Sequence, residues 1–257
     1  MRRVTPTLYA HRGASLELPE NTLEAFRLAV DLGADAIETD AHMTSDGHVV
    51  LSHDPTGKRM AGAPQAISEA TLEEVRTWDM SARFTARNGA ALPSSRPPFR
   101  MPTLDEALAA FPDTVFNVDA KQREPDMIPA LVGCIWRAHA AERVRIASFA
   151  TRNLLRARAL GYEGETGLSA PELAQIMLAP RFALRWVHPK GHAAQVPRRA
   201  YGVKFATQAA IDRLHAVGVR VDFWTIDDPA EAKRLFAMGA DGVMTDDIRA
   251  LAAVFGR

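Results

Sequence analysis

Cysteine is nearly absent from this sequence: there is one, Cys134, among 257 residues. A single thiol excludes an internal disulfide framework, and no zinc site built on thiolates can be assembled from it. Charge of one sign is lacking too. The 31 basic and 31 acidic residues cancel and are mixed along the chain, which argues against nucleic acid as the main partner and against strong attachment to an acidic membrane. Long hydrophobic runs are also missing. No stretch is long enough to span a bilayer, and the basic start Met1-Arg-Arg-Val-Thr-Pro lacks the sustained apolar segment of a signal peptide, so a cytoplasmic location and no membrane anchor are expected. What remains is enough chain for one full core, a single domain over 1–257, the usual size of one α/β barrel.

The most informative stretch is Asp35–Asp54. It opens as a strand, Ala36 to Ala41, on which Glu38 and Asp40 project to one face while Ile37 and Thr39 face the other. Two acids side by side on a buried strand face repel unless a cation lies between them. A Ser45-Asp-Gly turn follows, then a second strand, Val49-Val50-Leu51, that ends in His53-Asp54. An acid pair and a nearby histidine at strand ends suit a metal-assisted hydrolase.

Around this stretch, strands and helices alternate. Thr7–Ala10 reads as a strand running into His11-Arg12-Gly13, where a glycine permits a sharp turn. Asn21 or Thr22 is a plausible cap for a helix carrying Leu23, Phe26, Leu28 and Val30. Residues 55–102 break the pattern with one helical piece (71–78) and a proline-rich segment (92–102), predicting a partly mobile insertion after the third strand segment, over one end of the barrel. Alternation then resumes: helix 103–110, strand 114–121, helix 126–141, strand 144–149, helix 152–160, a short strand at 165–168, and helix 171–178. Residues 180–200 are hard to read, apart from a strand near 192–196. Helix 208–217, strand 219–226, helix 229–238 and Asp241–Asp246 complete the chain. Nine strand-like segments appear where a closed (β/α)8 barrel needs eight, so one of them, 48–52 or 242–245, is expected to lie elsewhere or be shorter. The fold class predicted is a TIM barrel. Polar groups recur where its strands run out: His11-Arg12, Glu38 and Asp40, His53, Asp119 and Lys121, Ser148, Trp224. In a TIM barrel those ends share one face and one pocket.

In this order the sequence resembles the glycerophosphodiester phosphodiesterase family. The matching pieces are His11-Arg-Gly13, Glu20-Asn-Thr22, Ile37-Glu-Thr-Asp40, Ser45-Asp-Gly47, His53-Asp54, Pro102-Thr-Leu-Asp-Glu106, Phe116-Asn-Val-Asp-Ala-Lys121, Ala147-Ser-Phe149, Phe223-Trp-Thr-Ile226 and Gly239–Asp246. The resemblance implies a TIM barrel that splits a small-molecule glycerophosphodiester into sn-glycerol 3-phosphate and an alcohol, using one divalent cation. It makes His11 and His53 the acid–base pair, and imidazole suits both halves of that task because it titrates near neutrality. Glu38, Asp40 and Asp119 then offer hard oxygen ligands, which favour Mg²⁺, Ca²⁺ or Mn²⁺ over zinc. The family usually carries glutamate where this chain has Asp119, one methylene shorter. Arg12 and Lys121 would offset the charge of the phosphodiester, Arg12 with a planar fork that lysine cannot match. Glu20 braces the His11 loop, reaches substrate hydroxyls or serves only the start of the following helix, and Trp224 packs against the glycerol or fills the barrel. His42 shares the parity of Glu38 and Asp40 but lies toward the turn and is left outside the site. His139, His188, His192 and His215 read as surface or loop residues. Two rivals stand beside this reading. One is a lipid-cleaving phospholipase of the phosphatidylinositol or sphingomyelin type, against which the missing amphipathic anchor and basic patch argue. The other is a barrel that binds a phosphorylated ligand without turning it over, against which both histidines, Glu38, Asp40, Arg12 and Lys121 argue.

Overall fold

A computed structural model describes residues 6–256, apart from 88, 90, 91, 93–95 and 201. Its strands in chain order are β1 (Thr7–His11), β2 (Ala36–Met43), β3 (Val49–Leu51), β4 (Val115–Ala120), β5 (Val144–Ala147), β6 (Ala193–Val196), β7 (Arg199–Ala200), β8 (Val203–Lys204), β9 (Arg220–Phe223) and β10 (Gly242–Thr245). The helices are α1 (Leu23–Asp31), α2 (Leu72–Val75), α3 (Leu104–Ala110), α4 (Ile128–Arg137), α5 (Thr151–Ala159), α6 (Ala170–Leu178), α7 (Gln208–His215), α8 (Pro229–Ala237) and α9 (Ile248–Val254). Parallel strands run side by side in the order β5-β4-β2-β1-β10-β9-β6. The gap between β5 and β6 is filled by residues 165–168, which bridge Ile146 through Thr166 and Ala193 through Gly167, both in parallel. That segment is the eighth stave, and the fold is a TIM barrel. The surplus ninth segment is β3. It pairs antiparallel with β2, outside the barrel order, with Ala41 opposite Leu51 and Met43 opposite Val49.

Strand alternation sorts the side chains into two layers. Outward residues such as Leu8, Ile37, Phe116, Val118, Ile146 and Val243 are buried against the helices, where Phe26, Phe111 and Phe116 meet edge to face. Local chemistry starts those helices where the topology needs them. Thr22 caps α1, and Thr103 and Glu106 form a capping box on α3. The inward layer is polar. Near the N-terminal ends of the strands, Arg145 donates to the Tyr9 hydroxyl at 3.0 Å and to Asp222 Oδ2 at 3.1 Å. Burial, with the Asp222 charge behind it, pushes the Tyr9 phenol up to about 12. This cluster fills the barrel floor. It is also why β10 begins with glycine: a Cβ on Gly242 would lie 2.5 Å from Asp222 Oδ1 and 2.8 Å from the Tyr9 ring.

The excursion after β3 is clasped at its root, where Leu51 N donates to the Pro102 carbonyl at 2.9 Å and Val50 bridges Thr103. The helical piece expected there is α2, shorter than predicted, with Thr71 and Glu74 forming its capping box. Part of the proline-rich segment lies outside the described residues. What is described buries a core of its own, in which Met60, Ile67, Val75, Trp78, Met80, Phe99 and Met101 pack on Val50. Composition alone did not show that these residues share a packed cluster.

Candidate active site

The C-terminal ends of the strands gather most of the polar residues singled out by sequence. At the end of β1 the chain takes an unusual path: Arg12 has φ 61° and Gly13 φ 84°. A Cβ on Gly13 would meet the Ala25 backbone at 2.8 Å, so the turn requires glycine. A bulky residue in the left-handed region is uncommon and marks a conformation held by its surroundings. Here the holder is β2, since Arg12 N donates to the Glu38 carbonyl at 2.8 Å. The turn delivers two side chains. His11 Nδ1 sits 2.6 Å from Asp246 Oδ1, leaving Nε2 at 3.7 Å from Glu38 Oε2. The Arg12 guanidinium donates to Glu20 Oε1 at 3.2 Å, while its Nε lies 3.1 Å from Asp40 Oδ2 as an ion pair outside hydrogen-bond geometry.

Register places the acids. β2 and β4 pair Glu38 with Asn117 and Asp40 with Asp119, so all three carboxylates share the inner face. Lys121, just past β4, puts Nζ 2.6 Å from Asp119 Oδ2 and 2.9 Å from Asp40 Oδ1. Asn21 closes the set by donating to Asp40 Oδ2 at 3.1 Å while its own carbonyl accepts from Thr39 at 2.7 Å. The charges respond differently to these neighbours. Burial raises Glu38 to about 8, helped by the nearby Asp40 charge. Burial also raises Asp119 above the usual carboxylate range, even with Lys121 beside it. At Asp40, burial is outweighed by the Lys121 and Arg12 cations, which hold the carboxyl below its ordinary value. His11 feels burial first, but the Glu38 and Asp246 carboxylates overcome it and favour the imidazolium.

His53 follows β3, and its Nδ1 lies 2.8 Å from Asp54 Oδ1. The excursion supplies a further partner, Arg59, whose Nε donates to Asp54 Oδ2 at 2.5 Å. Its two terminal nitrogens donate to Glu20, at 3.0 Å to Oε2 and 2.6 Å to Oε1. Glu20 is therefore engaged through both oxygens by two arginines, the arrangement of a brace. His42, left outside the site on sequence grounds, is buried and points its Nε2 at the His53 carbonyl, 3.4 Å away. Trp224 is half-buried, with its ring edge-to-face against Phe149 at 5.8 Å. Phe149 is 71% exposed and lies 5.6 Å from Lys121 Nζ. Ser148 is turned away from this chemistry and donates to the Ala120 carbonyl at 2.7 Å.

Among the described residues, no three acidic, imidazole or thiol side chains converge tightly enough to enclose a metal ion. Two buried carboxylate oxygens nevertheless have no hydrogen-bond partner, Glu38 Oε2 and Asp119 Oδ1. Buried oxygens of this kind are costly unless a positive group meets them. Both belong to hard donors on the same face as Asp40, so the residues present fit a divalent cation of the oxygen-loving class. Sequence reasoning passed over several participants. Asp54 and Asp246 sit inside the matching motifs without an assigned role, Asn21 is offered there only as a helix cap, a task Thr22 performs, and Arg59 lies just beyond one motif. Asp246 closes a strand at the same barrel end as His11, which was the available signal.

Comparison with known proteins gives a consistent picture. The sequence profile described as "Glycerophosphoryl diester phosphodiesterase family" matches residues 11–250. The chain is 30% identical over 245 residues to a glycerophosphodiester phosphodiesterase of Caldanaerobacter subterraneus subsp. tengcongensis, covering 93% of each. It is 33% identical to the probable glycerophosphodiester phosphodiesterase 2 of Mycobacterium tuberculosis, covering 92% of this chain and 86% of that one. Its fold superposes with a TM-score of 0.79, at 24% identity and over 98% of the chain and 97% of the other, on an Oleispira antarctica phosphodiesterase solved with the product sn-glycerol-3-phosphate.

Proposed function

The chain belongs to the glycerophosphoryl diester phosphodiesterase family, and from that premise we propose that it hydrolyses glycerophosphodiesters to sn-glycerol 3-phosphate and an alcohol, with one divalent cation and a pair of histidines. It is an enzyme, a phosphoric diester hydrolase. One observation carries the finer reading: both imidazoles are tethered through Nδ1 to a carboxylate, His11 to Asp246 at 2.6 Å and His53 to Asp54 at 2.8 Å. A tether on Nδ1 sets the tautomer and leaves Nε2 for proton transfer.

The division of labour follows from charge. Arg12 and Lys121 would offset the charge of a bound phosphodiester, and each is already paired with Asp40. Lys121 stays charged: burial disfavours its ammonium, but Asp119 and Asp40 outweigh that and raise it above its ordinary value. Glu38, Asp40 and Asp119 would hold the cation, Mg²⁺, Ca²⁺ or Mn²⁺. When bound, it would polarise a phosphoryl oxygen and steady the charge of an in-line displacement. One imidazole removes the proton of the attacking hydroxyl, water or the glycerol 2-hydroxyl, and the other protonates the departing alkoxide; attack by the 2-hydroxyl leaves a cyclic phosphate that a water then opens to sn-glycerol 3-phosphate.

The test is steady-state hydrolysis of soluble glycerophosphodiesters after chelation and re-addition of Mg²⁺, Ca²⁺ and Mn²⁺ in turn, beside lipid vesicles carrying the same head groups. Turnover of the soluble diesters that vanishes with chelator and returns with one ion is expected. His11→Ala and His53→Ala should each abolish it while the protein stays folded. Near-normal rates in either variant would refute the assignment, and turnover restricted to vesicles would favour a phospholipase.

A further inference from the structure

Arg59 belongs to none of the motifs that define the site, yet its guanidinium spans the two loops carrying the histidines. Nε donates to Asp54 Oδ2 at 2.5 Å, and the terminal nitrogens donate to Glu20 at 2.6 and 3.0 Å. Each of these carboxylates has a second duty. Asp54 holds His53 Nδ1 through its other oxygen, at 2.8 Å, and Glu20 Oε1 also accepts from Arg12 at 3.2 Å. One side chain thus ties the loop after β3 to the loop after β1.

We infer that Arg59 is a positioning residue for catalysis: by gripping Asp54 and Glu20 together, it sets the His53 imidazole and the Arg12 guanidinium at the same barrel mouth. This rests on the reading of His53 given above. A planar fork with five donors can hold two carboxylates at once, in fixed directions, which an ammonium cannot. Among the contacts described, Asp54 Oδ2 has Arg59 as its side-chain donor. Without it, a carboxylate with 26% of its side chain exposed is free to turn toward water, and His53 loses the acceptor that fixes its tautomer. The loop that presents Arg59 does not depend on it. Ile67 N donates to the Pro55 carbonyl, Ala61 N to Gly57 and Arg83 N to Met60, while Thr56 bridges Ala66. Variants at position 59 should therefore fold.

The experiment compares Arg59→Met and Arg59→Lys with the full-length parent at saturating divalent cation. Rates are measured on glycerophosphocholine, and histidine side-chain ¹⁵N spectra report the ring tautomers. Both variants should lose roughly 10- to 100-fold in kcat, the cost typical of removing an outer partner of a working group, with a smaller change in KM. Lysine should not rescue, although it restores the charge. The His53 signals should move from the Nδ1–H form toward a mixture of tautomers. A kcat within about twofold of the parent with the Nδ1–H form retained would overturn the inference, as would a fall in kcat with an unchanged His53 tautomer. If the tautomer changes while kcat does not, and His53→Ala is also active, then the catalytic reading of His53 fails and the positioning of its ring by Arg59 stands.

Discussion

Glu38 is the residue at which proton, metal and fold compete. Its carboxyl is enclosed, Oε2 accepts no hydrogen bond, and burial together with Asp40 raises it to about 8 from an ordinary 4.5. Below pH 4.5 the folded and unfolded chains both hold the proton, and there is no penalty. Between 4.5 and 8 the unfolded chain has released it while the folded one has not, so each rise in pH favours unfolding. At about 1.4 kcal/mol per pH unit, the metal-free protein loses roughly 1 kcal/mol to this group at pH 5 and about 4 at pH 8. Glu38→Gln, which keeps the shape and removes the charge, should therefore stabilise the chelated protein at pH 8 and barely alter it at pH 5. For a chain of this size the gap between the two conditions corresponds to a difference on the order of 5–10 °C in Tm. Thermal unfolding in chelator, for parent and variant at both pH values, reads it directly. A divalent ion at about 100 times its Kd should then restore roughly 2.7 kcal/mol to the parent at pH 8 and much less to the variant. Parallel pH curves for the two proteins, or equal stabilisation of both by the ion, would refute the argument that ionising Glu38 in the folded chain is costly until a cation meets it.

Two further substitutions probe the rest of the site. Asp246→Asn removes the charged acceptor 2.6 Å from His11 Nδ1; kcat should fall at least about 10- to 100-fold with the fold intact, as measured by steady-state kinetics beside circular dichroism. Lys121→Met leaves Asp40 and Asp119 without their shared ammonium, at 2.9 and 2.6 Å, and should cost about 3–5 kcal/mol in urea unfolding at pH 7. That deficit should shrink as the pH falls and Asp119, already raised by burial, takes up its proton.

Much of this architecture is written in local pattern. Alternation along 114–121 placed Asn117, Asp119 and Lys121 on one face, and the structure pairs that strand with β2 so that Asp119 stands beside Asp40. Even the weak stave at 165–168 was legible from its flanking helices. Three things were not. β3 looks like a barrel strand because its short apolar run matches the others, and only its antiparallel pairing with β2 shows that it lies outside. The excursion looked loose because its prolines and polar residues hide the spaced apolar positions, Met60, Ile67, Val75 and Met101, that build a satellite core. Arg59 looked like one surface arginine among many. Its partners, Glu20 and Asp54, are 39 and 5 residues away, and sequence spacing does not reveal a contact that depends on two loops meeting.

The same register that assembles the site makes it unstable alone. Strand parity forces Glu38 and Asp40 to one face, and the β2–β4 pairing forces Asp119 next to them; a slip of one residue would relieve the crowding but turn Ile37, Phe116 and Val118 away from the helices that bury them. The apolar outer layer therefore decides the register, and the inner acids accept the consequence. Lys121 and Arg12 neutralise Asp40, and Asn21 donates to it, whereas Glu38 Oε2 and Asp119 Oδ1 accept no hydrogen bond. Hydrogen bonding is incomplete on the side of the cluster that His11 Nε2 approaches to 3.7 Å. A barrel selected only for stability would have filled that position with another basic side chain, or with an apolar residue in place of an acid. That these unbonded oxygens sit beside an imidazole already held by Asp246 is the physical support for the cation proposed there.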